Sequence, residues 1–251
     1  MNLKTSLKGK VALVTGGSRG LGAATAIALA ERGADVAISY VASSSKADAV
    51  VRQLEQRGVR AIAFKADQGD ASSAAALVED VVKHFGHLDI LVNNAALAIP
   101  GKIDDPSSDT QAFDRQYAVN VTGVIATIRA AAKVMRNEGR IITVGSGVAV
   151  RTGRQGTADY AATKGAVLSY CRGAARDLGP RGITVNVIHA GIMETDMTAP
   201  FASVLPGIIA ALPIARIGQP AEVAEGIAFL AGPDAGYITG AVLNIDGGHS
   251  A

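Results

Sequence analysis

The sequence predicts an α/β fold: a doubly wound parallel sheet of about seven strands with helices on both faces. Three observations predict it. Short β-rich runs alternate with longer helical patterns, most of those runs are apolar along their whole length, and glycines cluster directly after apolar runs. A strand apolar throughout is one covered on both faces, and an alternating strand–helix order requires right-handed crossovers between parallel strands. The 251 residues are 49% hydrophobic and 18% charged, which suits one large domain, residues 1–251, with a sizeable core.

The strand candidates, in order, are Val11–Val14, Val36–Ile38, Ala61–Phe64, Ile90–Val92, Ile141–Val144, Thr184–Ile188 and Val242–Ile245. Each is short and rich in β-branched or other apolar residues. Between them, longer patterns predict helices over Leu21–Arg32, Ser44–Arg57, Ser72–Phe85, Thr110–Met135, Asp159–Leu178 and Pro220–Leu230. The stretch Gly191–Pro213 breaks the rhythm: it is long, apolar and contains proline, the signature of an active-site lid. Its Met193, Met197, Phe201, Val204, Leu205, Ile208, Ile209 and Leu212 predict a mainly apolar substrate.

Composition narrows the function. Lys and Arg number 24 against 22 Asp and Glu, a net charge of +2, and the basic residues are dispersed. That argues against a nucleic-acid partner. No run of about 18 apolar residues predicts a membrane span. The lysine-bearing start, with Lys4, Lys8 and Lys10, leads into an apolar run ending at Thr15–Gly16, too short for a secretory signal. A single cysteine, Cys171, fits a reducing compartment, so the cytoplasm is expected. No Cys/His cluster has metal-ligand spacing, and no metal is expected.

The first strand candidate is followed by Thr15-Gly16-Gly17-Ser18-Arg19-Gly20-Leu21-Gly22 and then a helix. Glycines there let the backbone turn tightly and approach a pyrophosphate, which the helix N-terminus attracts with unpaired N–H groups. The spacing is G-x-x-x-G-x-G rather than the G-x-G-x-x-G of the usual dinucleotide fingerprint.

This turn, together with Asn93-Asn94-Ala95 after the fourth strand and Tyr160-Ala161-Ala162-Thr163-Lys164, resembles the short-chain dehydrogenase/reductase family. The resemblance runs over nearly the whole chain and implies a Rossmann-type fold. The ending Tyr237-Ile238-Thr239-Gly240 and Asp246-Gly247-Gly248 is closest to the branch that includes 3-oxoacyl-[acyl-carrier-protein] reductases.

A lysine ammonium near a tyrosine stabilises its phenolate and lets a group of ordinary pKa about 10 exchange a proton near neutrality. Tyr160 and Lys164 stand four apart in a helical pattern and share a face. The resemblance implies that Ser146 holds the substrate oxygen, although 14 residues separate it from Tyr160, one more than is usual in the family. It further implies that Asn120 kinks a helix and holds a relay water; a satisfied core asparagine would read the same way. The implied catalytic set is Asn120, Ser146, Tyr160 and Lys164. His189 reads as a loop or wall residue rather than a base.

The cofactor set implied by the same resemblance is Gly16, Ser18, Arg19, Gly20, Leu21, Gly22, Asp67, Gln68, Asn94, Ala95, Ala96, Tyr160, Lys164, Gly191, Ile192 and Thr195, to which Ser39, Tyr40 and Ser43 add the end of strand two. Enzymes preferring NAD place an acid at the end of that strand, and here the position holds Tyr40. Arg19, Ser39, Ser43 and Lys46 could donate to a 2′-phosphate, although Arg19 and Lys46 could equally be solvated. NADP(H) is therefore expected over NAD(H).

Asp67 resembles an adenine-contacting residue and could alternatively cap a helix, a role for which Asp70 and Ser72 are better placed. Two alanines depart from the family pattern. Ala96 stands where a glycine is usual, and would be strained if that position needs a positive φ; Ala190 replaces a proline. The activity expected is reduction of a ketone, such as a 3-oxoacyl thioester or another apolar carbonyl. Oxidation of a secondary alcohol or sugar by the same site, and a non-catalytic dinucleotide-binding regulator, are the alternatives. The resemblance implies a homotetramer.

Overall fold

The computed structural model describes residues 6–198 and 204–251. Seven strands form one parallel sheet: β1 (Val11–Val14), β2 (Asp35–Tyr40), β3 (Ala61–Lys65), β4 (Ile90–Asn93), β5 (Arg140–Ser146), β6 (Thr184–Ala190) and β7 (Val242–Ile245). Their order across the sheet is β3-β2-β1-β4-β5-β6-β7, so the winding reverses between β1 and β4. A crevice opens there at the carboxyl ends of the strands.

The strands are apolar on both faces because both faces are covered. In β1, Ala12 and Val14 enter one core with helices α1 (Gly20–Glu31), α2 (Ser44–Glu55) and α8 (Pro220–Ala231). Val11 and Leu13 point the other way, into a core with α3 (Ala71–Phe85), α5 (Gly123–Val134) and α6 (Ala158–Leu178). The alternation of side chains along a strand divides one apolar run between two cores.

Several elements differ from the sequence expectation. Strands β2, β5 and β6 run further, and β6 carries His189 and Ala190 within the sheet instead of in a loop. The helix expected over Thr110–Met135 is α4 (Thr110–Tyr117), a π-helical turn over Ala118–Thr122, and α5. Apolar spacing alone does not reveal one residue of extra winding. The stretch after β6 holds a short helix, α7 (Leu205–Ala210); Phe201 lies outside the described residues, as does Lys4.

Helix ends follow local chemistry. The Asp70 side chain accepts from Ser72 N at 2.9 Å at the start of α3, and Gly86 ends that helix in the left-handed region. Asp109 accepts from Ala112 N at 3.0 Å ahead of α4. Gln219 and Glu222 form a capping box on α8, with Pro220 in its first turn. None of the described helices is long and apolar enough to cross a membrane.

The π-turn is seated by a close approach: a Cβ on Gly123 would run into the carbonyl oxygen of Gln68. Gly173 on α6 has open space around its Cα. Gly123→Ala should therefore lose about 1–3 kcal/mol in urea denaturation, the cost of overpacking. Gly173→Ala should be neutral or gain up to about 1 kcal/mol from helix propensity. Equal stability of the two variants would contradict this packing.

Candidate active site

The glycine turn after β1 is built by contact with β4. Thr15 Oγ1 accepts from Asn94 N at 3.0 Å and Ala95 N at 3.1 Å, while Asn94 Nδ2 donates to Thr15 O at 2.9 Å and Gly16 O at 3.2 Å. Gly16 and Gly20 have φ of +65° and +54°. A Cβ on Gly22 would meet Gly16 O and, at 2.5 Å, Asn94 Nδ2; one on Gly17 would lie 2.6 Å from Ile38.

Arg19 sits at the N-cap of α1, which has no side-chain cap and no acid in its first turn. Its N–H groups are left for an anion, so the turn fits a pyrophosphate. Ser18 and Leu21 flank that end, and Leu21 also lines the cavity described below.

Other expected cofactor residues have more particular places. Ser39 is buried and accepts from Gly16 N at 3.1 Å, so it supports the turn from beneath instead of facing a phosphate. Tyr40 is half-buried at the end of β2, and Ser43 precedes α2. The Asp67 carboxylate receives Arg115 and the N–H of Gly69, and the Arg115 guanidinium holds it below its ordinary range. Gln68 is buried against Gly123. Ala96 carries no strain: Glu138 is the single non-glycine residue with positive φ among those described.

Arg19 Nη1 donates to Asp196 Oδ2 at 3.0 Å, and Lys46 Nζ lies 3.6 Å from the same oxygen. Strand two brings no acid to this place, but the stretch after β6 does. All three side chains are more than half exposed. Thr195 packs over Gly20, its methyl 3.4 Å from where a Cβ would stand. Gly191 passes so close to Asp246 that a Cβ would lie 2.6 Å from its Cα. Ile192 O accepts from Gly218 N at 2.9 Å, tying this stretch to the approach to α8.

Beyond the turn, Asn120 lies buried in the π-turn. Its Oδ1 accepts from Leu97 N at 2.8 Å, and its Nδ2 donates to Leu97 O at 2.8 Å and to Thr163 Oγ1 at 3.1 Å. Thr163 Oγ1 donates in turn to Tyr160 O at 2.7 Å. Thr163 was not singled out from the sequence, where it is only the residue before Lys164.

Ser146, Tyr160 and Lys164 come together at the carboxyl ends of β5 and β6, in a cavity of about 550 Å³. The Ser146 hydroxyl and the Tyr160 phenol line the same cavity. Burial pushes the Tyr160 phenol up to about 12, a rise that the Ser146 hydroxyl opposes. Burial also pulls the Lys164 ammonium down to about 8. Lys164 Nζ donates to Val144 O at 2.9 Å and stands 5.7 Å from the centre of the Tyr160 ring.

The remaining walls are mainly apolar. Met193, Met197, Val204, Leu205, Ile208 and Leu212 line the cavity, while Ile209 does not. Residues missed from the sequence also line it: Ala98, Ile99 and Pro100 after β4, Val148, Arg151 and Arg154 after β5, and His249 near the end of the chain. The position of the first two groups, after the carboxyl ends of strands, was a usable signal; nothing local marked His249. His189 is fully enclosed in β6, with no partner for either ring nitrogen among the described residues. Among the described residues no group of three or more His, Cys, Asp and Glu could hold a metal.

Known proteins place this geometry. The profile of the family described as Enoyl-(Acyl carrier protein) reductase matches residues 16–250. Versicolorin reductase 1 of Aspergillus parasiticus is 40% identical over 96% of this chain and 97% of its own length. The 3-oxoacyl-[acyl-carrier-protein] reductase of Staphylococcus aureus is 39% identical over 95% and 97%. A short chain dehydrogenase from Burkholderia cenocepacia, solved in complex with NADP, superposes with a TM-score of 0.95 at 45% identity, covering 98% of this chain and 100% of that one. The chain belongs to the short-chain dehydrogenase/reductase family. As a member of that family it is an NAD(P)-dependent oxidoreductase.

Proposed function

We propose that this enzyme reduces a mainly apolar ketone to a secondary alcohol with NADPH. The observation that carries the reading is the convergence of Ser146, Tyr160 and Lys164 in one apolar-walled cavity beside the glycine turn. The glycine turn Gly16–Gly22 and the N-terminus of α1 would hold the dinucleotide, which when bound would supply the hydride for the carbonyl carbon. The Ser146 hydroxyl donates to the carbonyl oxygen as negative charge grows there. The Tyr160 phenol gives that oxygen its proton, and the Lys164 ammonium stabilises the phenolate left behind.

A phenol pushed up to about 12 is protonated at neutral pH and so holds the proton that the carbonyl oxygen needs. Asn120 acts through Thr163 and Leu97, holding α6 and the loop after β4 in register. Thr195, Ile192 and Gly191 bring the described part of the chain after β6 over the cofactor. Arg19 and Lys46 receive the 2′-phosphate, displacing Asp196. A 3-oxoacyl thioester is the substrate class carried over from the Staphylococcus aureus relative's name. The edge position of β7 and the exposed Phe229, Tyr237 and Leu243 leave an apolar surface for assembly, which the family resemblance makes a homotetramer.

Three outcomes test the reading. Tyr160→Phe should lower kcat by about 10²–10⁴-fold, the usual weight of a general acid, while the NADPH dissociation constant stays within a few-fold. Retained turnover refutes the proton role. The kcat/KM of reduction should fall as pH rises through about 8, because Lys164 then loses the charge that stabilises the phenolate; a profile without that downturn opposes it. Arg19→Ala should cut the NADPH-to-NADH ratio of kcat/KM by about 10–100-fold, the worth of a charged hydrogen bond. Asp196→Asn should move the ratio the other way, and equal use of both cofactors by the unaltered enzyme refutes the preference.

A further inference from the structure

The cavity has two flanks. In the sheet β5 lies between β4 and β6, so Ser146, at the end of β5, has the segment after β4 on one side and the segment after β6 on the other. A carbonyl held at Ser146 and Tyr160 therefore turns one substituent toward each flank. The flank after β6 offers Met193, Met197, Val204, Leu205, Ile208 and Leu212. Methionine is unbranched and flexible, and adapts to what it touches. The flank after β4 presents Ala96, Ala98, Ile99 and Pro100.

That second flank is fastened by its main chain. Asn120 takes both polar groups of Leu97, and two residues further on Gln116 Oε1 accepts from Ile99 N at 2.6 Å. Gly101 N donates to Gly156 O, in the loop before α6, at 3.0 Å. A Cβ on Gly101 would run into the ring of Phe113, on the same helix as Gln116. Two side-chain amides, one in α4 and one in the π-turn, thus bond Leu97 and Ile99 as a neighbouring strand would.

Gln116 itself is not among the lining residues. It is fully buried, and its Nε2 has no partner among the described residues. Reversing the amide would set two donors against each other at Ile99, so its orientation is fixed. A side chain there for packing alone would leave no buried donor unpaired. What Gln116 supplies is one acceptor, and it supplies it to the main chain of a residue that lines the cavity.

We propose that Gln116 is a positioning residue that makes the flank after β4 a fixed pocket for a small group, so that the enzyme prefers ketones with one small and one large apolar substituent and reduces them with one handedness. The assignment rests on the reductase reading above and deepens it. The small substituent lies against Ala98 and Ile99, and the large one lies among the methionines. Exchanging the two, with the oxygen still at Ser146 and Tyr160, would present the opposite face of the carbonyl to the cofactor.

Reduction of 2-octanone and 4-octanone with NADPH tests it. The unaltered enzyme should favour 2-octanone in kcat/KM by about tenfold or more, and one enantiomer of 2-octanol by a similar factor, the discrimination that extra methylenes meet in a fitted apolar pocket. Gln116→Met, of similar length but with no oxygen to accept from Ile99, should bring both ratios close to unity. Gln116→Glu, which keeps an acceptor whether ionised or neutral, should preserve both. Each ratio is read within one preparation, so partial unfolding of a variant does not move it. Equal use of the two ketones by the unaltered enzyme, a racemic product, ratios unmoved in Gln116→Met, or ratios lost equally in Gln116→Glu overturns the assignment. Should no ketone be reduced, the reductase reading fails separately, and amide hydrogen exchange at Ile99, followed by NMR on the free enzyme, still reads the fastening. Exchange should quicken by about tenfold in Gln116→Met, the worth of one hydrogen bond, and not in Gln116→Glu. Unchanged exchange in Gln116→Met overturns the positioning role.

Discussion

The organisation of the site depends on how closely two main chains pass at the point where the sheet reverses its winding. The turn after β1 lies against Asn94 and Ala95 with no room for side chains at Gly16, Gly17 or Gly22. Thr15 and Asn94 lock that contact with four hydrogen bonds. From there the order is passed on. Leu97, two residues past Ala95, is held through both of its main-chain polar groups by Asn120, Asn120 reaches Thr163, and Thr163 reaches the carbonyl of Tyr160. Hydrogen bonds joined by the main chain from Ala95 to Leu97 thus link the glycine turn to the main chain of Tyr160. Each link is at least partly buried, where an unpaired polar group is costly, so the links rigidify the path.

Burial acts in opposite senses on the two titrating groups. It favours the neutral form of each, raising the phenol and lowering the ammonium. The lysine therefore keeps its proton only within a limited range of pH, and its charge is felt strongly because little water screens it. Its anchor on Val144 O fixes the ammonium to the strand that also carries Ser146. Strand β5 thus sets the places of both partners of Tyr160.

At the cofactor end, Arg19 and Lys46 share Asp196, an exposed pairing of modest strength that a phosphate dianion can replace. Because Asp196 sits next to Thr195, the residue packed over Gly20, the same stretch of chain bears on the turn and on the cations beside it.

The order of strands and helices was determined by the sequence itself, because apolar period, glycine turns and helix spacing are local properties. The ranges of β1 and β7 agree at both ends, and the glycine turn and the Tyr160–Lys164 face were legible for the same reason. Other features needed the folded chain. The π-turn at Asn120 arises from packing on Gln68 and from bonds to Leu97 and Thr163, which are 23 and 43 residues away. Asp196 reaches Arg19 across 177 residues, and His249 closes on Gly147 and Gly153 only because β7 ends beside β6. Ser39 changed role because its neighbour Gly16 needed an acceptor. The sequence determined the elements and the reacting pair, which depend on neighbours in the chain. The tertiary structure decided the charges around that pair, because electrostatic contacts form between groups that only the sheet order brings together.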